Sequence, residues 1–209
     1  MNTTPLSDIK EILGQDADLL AITKMRPVED ILPLLEEGHR LFGESRTIEA
    51  HEKWSNLKEQ YPDIKLHLIG SLQTNKVSDA VALFDVIEVL DREKLAKHLA
   101  QEMKAQNKSL PCFIQVNTGE EPQKSGITPD DFDNFLTFCR QTCHLDITGV
   151  MCIPPIDEPV SLHFALLSSI AKKHDLPNIS MGMSNDFEIA LKFGATQVRV
   201  GSRLFKTTP

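Results

Sequence analysis

The chain has 209 residues, 41% hydrophobic and 25% charged, the balance of an ordinary globular protein with enough apolar side chain for a substantial core. Disorder and collagen-like structure are excluded, and no run approaches the roughly 18 apolar residues that a membrane-spanning helix needs. Thirty acidic against 22 basic residues give a formal net charge of -8 with no Lys/Arg block, which argues against nucleic acid and membrane as partners.

The start Met1-Asn2-Thr3-Thr4-Pro5 has no basic region followed by an apolar run, so a cytoplasmic location is expected. A short helix is predicted over residues 6–13. Strands and helices then alternate in chain order: strand 19–23, helix 28–37, strand 41–45, helix 46–60, strand 65–71, helix 74–83, strand 86–91 and helix 92–106. The second half continues with strand 111–117, helix 129–143, strand 147–153, helix 160–174, strand 178–184, helix 185–193 and strand 196–201. Strand ends recur at roughly 25 residues, the length of a strand plus a crossover helix.

Eight such units, with strands that read as nearly continuous apolar runs, predict the α/β class: a single (β/α)8 TIM-like barrel with an extra N-terminal helix, one domain over residues 1–209. An open doubly wound sheet is the alternative, but Ile22-Thr23-Lys24-Met25 lacks the Gly-rich turn it would need after an early strand. The cysteines form no C-x-x-C pair and read as buried, reduced side chains, and the scattered histidines, His67 among them, receive no metal or catalytic role.

In such a barrel the chemistry belongs where strands end and loops begin. Lys24 follows the apolar run Leu19-Leu20-Ala21-Ile22-Thr23, where desolvation favours the neutral amine that forms a Schiff base with a carbonyl; the alternative is a lysine snorkelling into water. The seventh and eighth strand ends, with Gly182, Ser184, Gly201 and Ser202, suit a phosphate held by hydroxyls and backbone amides, or plain turn chemistry in which Ser184 caps the next helix. Alternation turns Arg199 into the barrel if Val198 and Val200 face out; it then needs a protein carboxylate or a ring nitrogen of a bound heterocycle.

Taken together, several ordered segments resemble the pyridoxal phosphate homeostasis protein family, whose barrel is similar to the N-terminal domain of alanine racemase. They are Ala21-Ile22-Thr23-Lys24, Phe42-Gly43-Glu44-Ser45-Arg46, Ile69-Gly70-Ser71-Leu72-Gln73-Thr74-Asn75-Lys76, Gln115-Val116-Asn117, Gly149-Val150-Met151, Ser180-Met181-Gly182-Met183-Ser184-Asn185-Asp186-Phe187-Glu188 and Val198-Arg199-Val200-Gly201-Ser202. The resemblance implies that Lys24 forms the Schiff base with pyridoxal 5'-phosphate (PLP), the vitamin B6 coenzyme. It also implies that Ser184, Gly201 and Ser202 hold the phosphate, that Arg199 faces the pyridine nitrogen, and that Ser45 contacts the ring where the family usually has Asn. Ser71 replaces a bulkier family residue, and the ending Lys206-Thr207-Thr208-Pro209 departs from the family's.

The implied function is PLP homeostasis: a monomer that buffers the aldehyde or delivers it to PLP-dependent apoenzymes without robust catalysis. A weak amino-acid racemase and a Schiff-base lysine aldolase are the alternatives. A two-base racemase needs a second acid/base, supplied in alanine racemase by a tyrosine of an additional domain, and the only tyrosine here, Tyr61, falls in a turn away from the strand ends. Lys124, in Gln123-Lys124-Ser125-Gly126, is a candidate transient acceptor of the aldehyde.

Overall fold

The computed structural model describes residues 4–205; the divergent ending at residues 206–209 lies outside them. Eight parallel strands close into a barrel in sequence order, β1 pairing with both β2 and β8. They are β1 (Asp18–Ile22), β2 (Leu41–Glu44), β3 (Lys65–Leu68), β4 (Val86–Leu90), β5 (Cys112–Val116), β6 (Ile147–Cys152), β7 (Asn178–Met183) and β8 (Gln197–Val200). Around them lie α1 (Pro5–Leu13), α2 (Val28–Glu36), α3 (Thr47–Gln60), α4 (Val77–Leu83), α5 (Glu93–Ala105), α6 (Phe132–Thr137), α7 (Val160–Lys173) and α8 (Phe187–Lys192). None of these helices is long and apolar enough to cross a membrane.

The extra N-terminal helix forms because Thr4 caps it, accepting from Ser7 N–H, and Pro5 pre-sets the first turn. Its buried face, Leu6, Ile9 and Leu13, joins the core. Outward strand residues such as Phe42, Ile87 and Val198 meet the helices; Trp54 of α3, fully buried, lies 4.7 Å from the Phe42 ring. Inside the barrel, a Cβ on Gly43 would stand 2.8 Å from Ile22 Cδ1 and 2.9 Å from Leu20 Cδ2, so glycine there makes room for two larger neighbours.

Three boundaries differ from the sequence reading by three residues or more. β3 stops at Leu68 rather than at residue 71: after Ile69 N–H donates to Glu44 O, a Cβ on Gly70 would fall 2.3 Å from Ser45 O, so the chain leaves the sheet over Ser45. The helix expected from residue 74 opens as a 3-10 turn, Thr74–Lys76, before α4. The helix expected over residues 129–143 is α6 followed by a π turn, Phe138–Thr142; the wider turn buries Cys139 while Arg140 reaches the Ile147 carbonyl at 3.0 Å.

Gly182 has φ +88, and a Cβ there would stand 2.6 Å from Ala190 Cβ and 2.9 Å from Phe187 Cα. Its missing side chain therefore serves the packing of α8 on β7, not the approach of a ligand. We expect Gly182→Ala to lower stability by about 2–4 kcal/mol, through an unfavourable φ and a clash with α8; a urea midpoint equal to wild type would refute this.

Candidate functional site

The carboxyl ends of the strands bring the predicted residues to one end of the barrel, on elements adjacent in the sheet. β1 ends at Ile22, and Lys24 and Met25 form a turn before α2. The turn starts here because Thr23 is already committed: its hydroxyl donates to Glu44 Oε1 at 2.7 Å, and its carbonyl accepts from Lys53 Nζ at 2.6 Å. The desolvated strand-end position expected for Lys24 is thereby corrected. Lys24 is exposed in the turn, and the buried lysine next to this strand end is Lys53 of α3.

On the opposite flank of β1, the β7 and β8 ends bring Ser184 and Ser202 into one cavity of about 440 Å3, together with Pro154, Pro155, Asn185 and Asp186. Ser184 does not cap α8, contrary to one sequence reading; Asp186 stands at the cap position, and its carboxylate accepts from Met183 N–H. The Ser184 hydroxyl instead faces Gly201 N–H across a long 3.4 Å contact, which leaves that amide weakly held. Two hydroxyls and an amide thus converge where a phosphate was expected. Ser45 sits elsewhere, half-buried at the β2 end, in a separate cavity of about 580 Å3 with Ser71, Arg46, Gln73 and Lys76.

Arg199 is buried inside the barrel, as alternation required, but its direct partners are not carboxylates. Nη1 donates to the carbonyl and the hydroxyl of Ser180, both at 2.8 Å, and Nη2 donates to the Cys152 carbonyl at 2.7 Å. The nearby anion acts through Ser180: its hydroxyl donates to Glu88 Oε2 at 2.6 Å, Gln197 Nε2 donates to Glu88 Oε1 at 2.6 Å, and His67 Nδ1 lies 2.6 Å from the same oxygen. Burial pushes the Glu88 carboxyl up, but the hydrogen bond and charge of His67, the Arg199 charge and the Ser180 hydroxyl outweigh it and hold the carboxyl below its usual range.

This network, His67–Glu88–Ser180–Gln197–Arg199, went unassigned from sequence. Its signal was present as single polar residues inside apolar runs, Leu66-His67-Leu68 and Ile87-Glu88-Val89, which mark inward positions only once the barrel is closed. Burial raises the thiols as well: Cys139 and Cys152 are pushed up to about 12, so they stay protonated at neutral pH.

The β5 loop folds back over the barrel mouth. Asn117 N–H donates to Ile127 O at 2.9 Å, Gln115 Nε2 to Ser125 O at 3.1 Å, and the Ser71 and Ser125 hydroxyls lie 3.1 Å apart. Lys124 is tied rather than free, 2.5 Å from Glu121 Oε2 and 3.3 Å from the Pro154 carbonyl. Tyr61 ends α3, beneath Arg40 at 5.2 Å and just before β3, so it lies at the opposite end of the barrel from Lys24.

Comparison with known proteins places the chain by family and fold. Residues 6–209 match the family model for the alanine racemase N-terminal domain. The pyridoxal phosphate homeostasis proteins of Vibrio alginolyticus and Aquifex aeolicus are each 34% identical to this chain; the alignments cover 91% and 90% of it, and 86% of each relative. Among solved structures, PipY of Synechococcus elongatus without PLP superposes with a TM-score of 0.91 at 33% identity, covering 96% of this chain and 98% of PipY. PipY with PLP bound gives 0.87 at 31% identity. The alanine racemase of Corynebacterium glutamicum, at 19% identity and a TM-score of 0.73, shares the fold over 58% of its own length. With the family model spanning nearly all of it and curated relatives aligned across nine-tenths of it, the chain belongs to the pyridoxal phosphate homeostasis protein family, on the barrel of the alanine racemase N-terminal domain.

Proposed function

We propose that this protein binds PLP through Lys24 and acts in the cytoplasm, as a monomer, to buffer the coenzyme or deliver it to PLP-dependent apoenzymes, without robust turnover of its own. The observation that carries the reading is the convergence at one barrel end of an exposed lysine after β1 with two hydroxyls and a weakly held amide from the neighbouring β7 and β8 ends. That donor set suits a phosphate monoester, and PipY, related at 31% identity, is a structure with PLP bound.

PLP supplies a reactive aldehyde on a pyridine ring, chemistry that a lysine amine can capture reversibly. Lys24 would hold the aldehyde carbon, while Ser184, Gly201 N–H and Ser202 would hold the phosphate. Arg199, fixed by Ser180 and Cys152, would present a guanidinium to the ring nitrogen, disfavour its protonation and so limit the ring as an electron sink. Ser45 is shorter than asparagine and would contact the ring more weakly.

The only tyrosine lies at the far end of the barrel, which supports a carrier over a two-base racemase. The test is absorbance and turnover of the purified protein with added PLP. A yellow complex that borohydride bleaches, with racemase turnover far below the roughly 1–1000 per second of dedicated enzymes, is expected. A colourless protein that ignores PLP would sink the reading and favour the lysine aldolase; turnover within that range would favour the racemase.

A further inference from the structure

The two peptide groups that flank Lys24 are both held by one cluster of charged side chains, of which Glu44 and Lys53 are buried and Glu49 half-buried. On the N-terminal side, the Thr23 carbonyl accepts from Lys53 Nζ at 2.6 Å and the Thr23 hydroxyl donates to Glu44 Oε1 at 2.7 Å. On the C-terminal side, Met25 N–H donates to Glu49 Oε1. The three side chains also hold one another: Lys53 Nζ lies 2.7 Å from Glu44 Oε1 and 2.9 Å from Glu49 Oε1. Glu49 and Lys53 stand one helical turn apart on α3, so a single rigid helix faces both sides of the Lys24 turn.

Packing alone does not account for this cluster. Lys53 is 9% exposed and Glu44 fully buried, an arrangement that apolar side chains of the same volume would fill without desolvating charge. Glu44 Oε1 also accepts from the buried Trp54 indole N–H at 3.1 Å, but Lys53 and Glu49 reach the backbone on either side of Lys24. The cluster also reaches Met25, which has φ +58, in the left-handed region that a methionine rarely adopts, and whose N–H donates to Glu49.

We propose that Glu44, Lys53 and Glu49 form a clamp that fixes the turn around Lys24 and presents its amine to an aldehyde, which makes Lys53 and Glu49 positioning residues for covalent attachment. The inference rests on the reading of Lys24 as the attachment point. Burial pushes the Glu49 carboxyl up, but hydrogen bonds from Lys53 and Met25 N–H and the charges of Lys53 and Arg46 outweigh it, so Glu49 stays ionised at neutral pH. The clamp is built before any ligand arrives, which is the form that preorganisation takes at a reacting lysine.

The test compares Lys53→Met, Lys53→Arg, Glu49→Ala and, as a control on the same helix, Glu52→Gln. Three quantities are measured: amide exchange at Met25 in coenzyme-free protein, the rate of borohydride-trapped attachment of PLP at Lys24, and the affinity for pyridoxine 5'-phosphate, which has the phosphate but no aldehyde. For Lys53→Met and Glu49→Ala, exchange at Met25 rises and attachment slows, each by about tenfold or more, while pyridoxine 5'-phosphate binds within about twofold of wild type. Lys53→Arg restores part of the rate, and Glu52→Gln behaves as wild type.

Attachment at the wild-type rate in Lys53→Met and Glu49→Ala overturns the clamp. Equal loss of pyridoxine 5'-phosphate binding also overturns it, because the cluster would then be a general support of the barrel mouth. If Lys53→Met does not fold, Glu49→Ala, at a half-buried position, decides alone. If the wild-type protein takes no PLP at Lys24, the functional reading fails, while exchange at Met25 still decides whether the clamp exists.

Discussion

Lys24→Ala protein mixed with PLP is expected to stay colourless, to carry no borohydride-trapped coenzyme in the barrel mouth, and to bind PLP at least about 100-fold more weakly, a loss of about 3 kcal/mol. What remains is the phosphate subsite, so inorganic phosphate should still compete for the residual binding, and the further change Ser184→Ala should weaken it again. The variant is not expected to lose stability, because Lys24 is exposed and the hydrogen bonds of the turn are made by Thr23 and Met25. Peptide mapping after reduction supplies the sharper readout. Label confined to Lys24 in the wild type and absent from the variant supports a single attachment point, whereas label on Lys124 in either protein would identify that residue as an acceptor despite its ion pair with Glu121. Undiminished colour in Lys24→Ala would end the assignment.

Glu88→Gln should unfold at a much lower urea midpoint, with a loss of roughly 3–5 kcal/mol, the range for breaking one partner out of a buried charged network. The carboxylate accepts from Ser180 and Gln197 and lies 2.6 Å from His67; an amide of the same shape turns a donor towards at least one of these donors and removes the anion that Arg199 faces through Ser180. The pH dependence has a definite sign. The folded-state pKa of Glu88 lies below the ordinary carboxylate value of 4.5, so its contribution to stability is present above that value and is lost as the pH falls through the folded-state pKa. Stability measured from neutral pH downward should therefore show an acid-side loss in the wild type that is smaller in Glu88→Gln. Equal stability of the two proteins at pH 7, or identical acid limbs, would show that the network contributes nothing.

The strand-helix rhythm was open to reading because a parallel barrel strand is covered on both faces, so its sequence is a short unbroken apolar run. The position of Lys24, Ser184 and Ser202 just past the strands was legible for a related reason: polar residues directly after such a run stand at the carboxyl end of the sheet. Arg199 was read inward correctly from its two valines, but its partners were not, because hydrogen bonds to Ser180 and Cys152 join residues 19 and 47 positions away. The reading of Ser184 as a helix cap fails because Asp186, two residues on, stands at the cap position, with its carboxylate turned back to Met183 N–H. The π turn after α6 and the early end of β3 followed from contacts with distant segments, the Ile147 carbonyl and the Ser45 backbone, which no local pattern carries.

Periodicity and composition by themselves determined an eight-unit α/β barrel, its extra first helix and the strand ends at which chemistry belongs, because those depend on which side chains leave water and at what spacing. The family resemblance is likewise carried by short contiguous motifs. Closure of the sheet decided the rest. Only with β8 beside β1 do Ser184, Gly201 and Ser202 come to the flank of the Lys24 turn. Only with α3 packed against β1 and β2 does Lys53 reach the Thr23 carbonyl, 30 residues away in the chain. The physical reason is common to both: hydrogen bonds and ion pairs act over a few ångströms, and which groups come within that range is set by the packing of distant segments rather than by their order along the backbone.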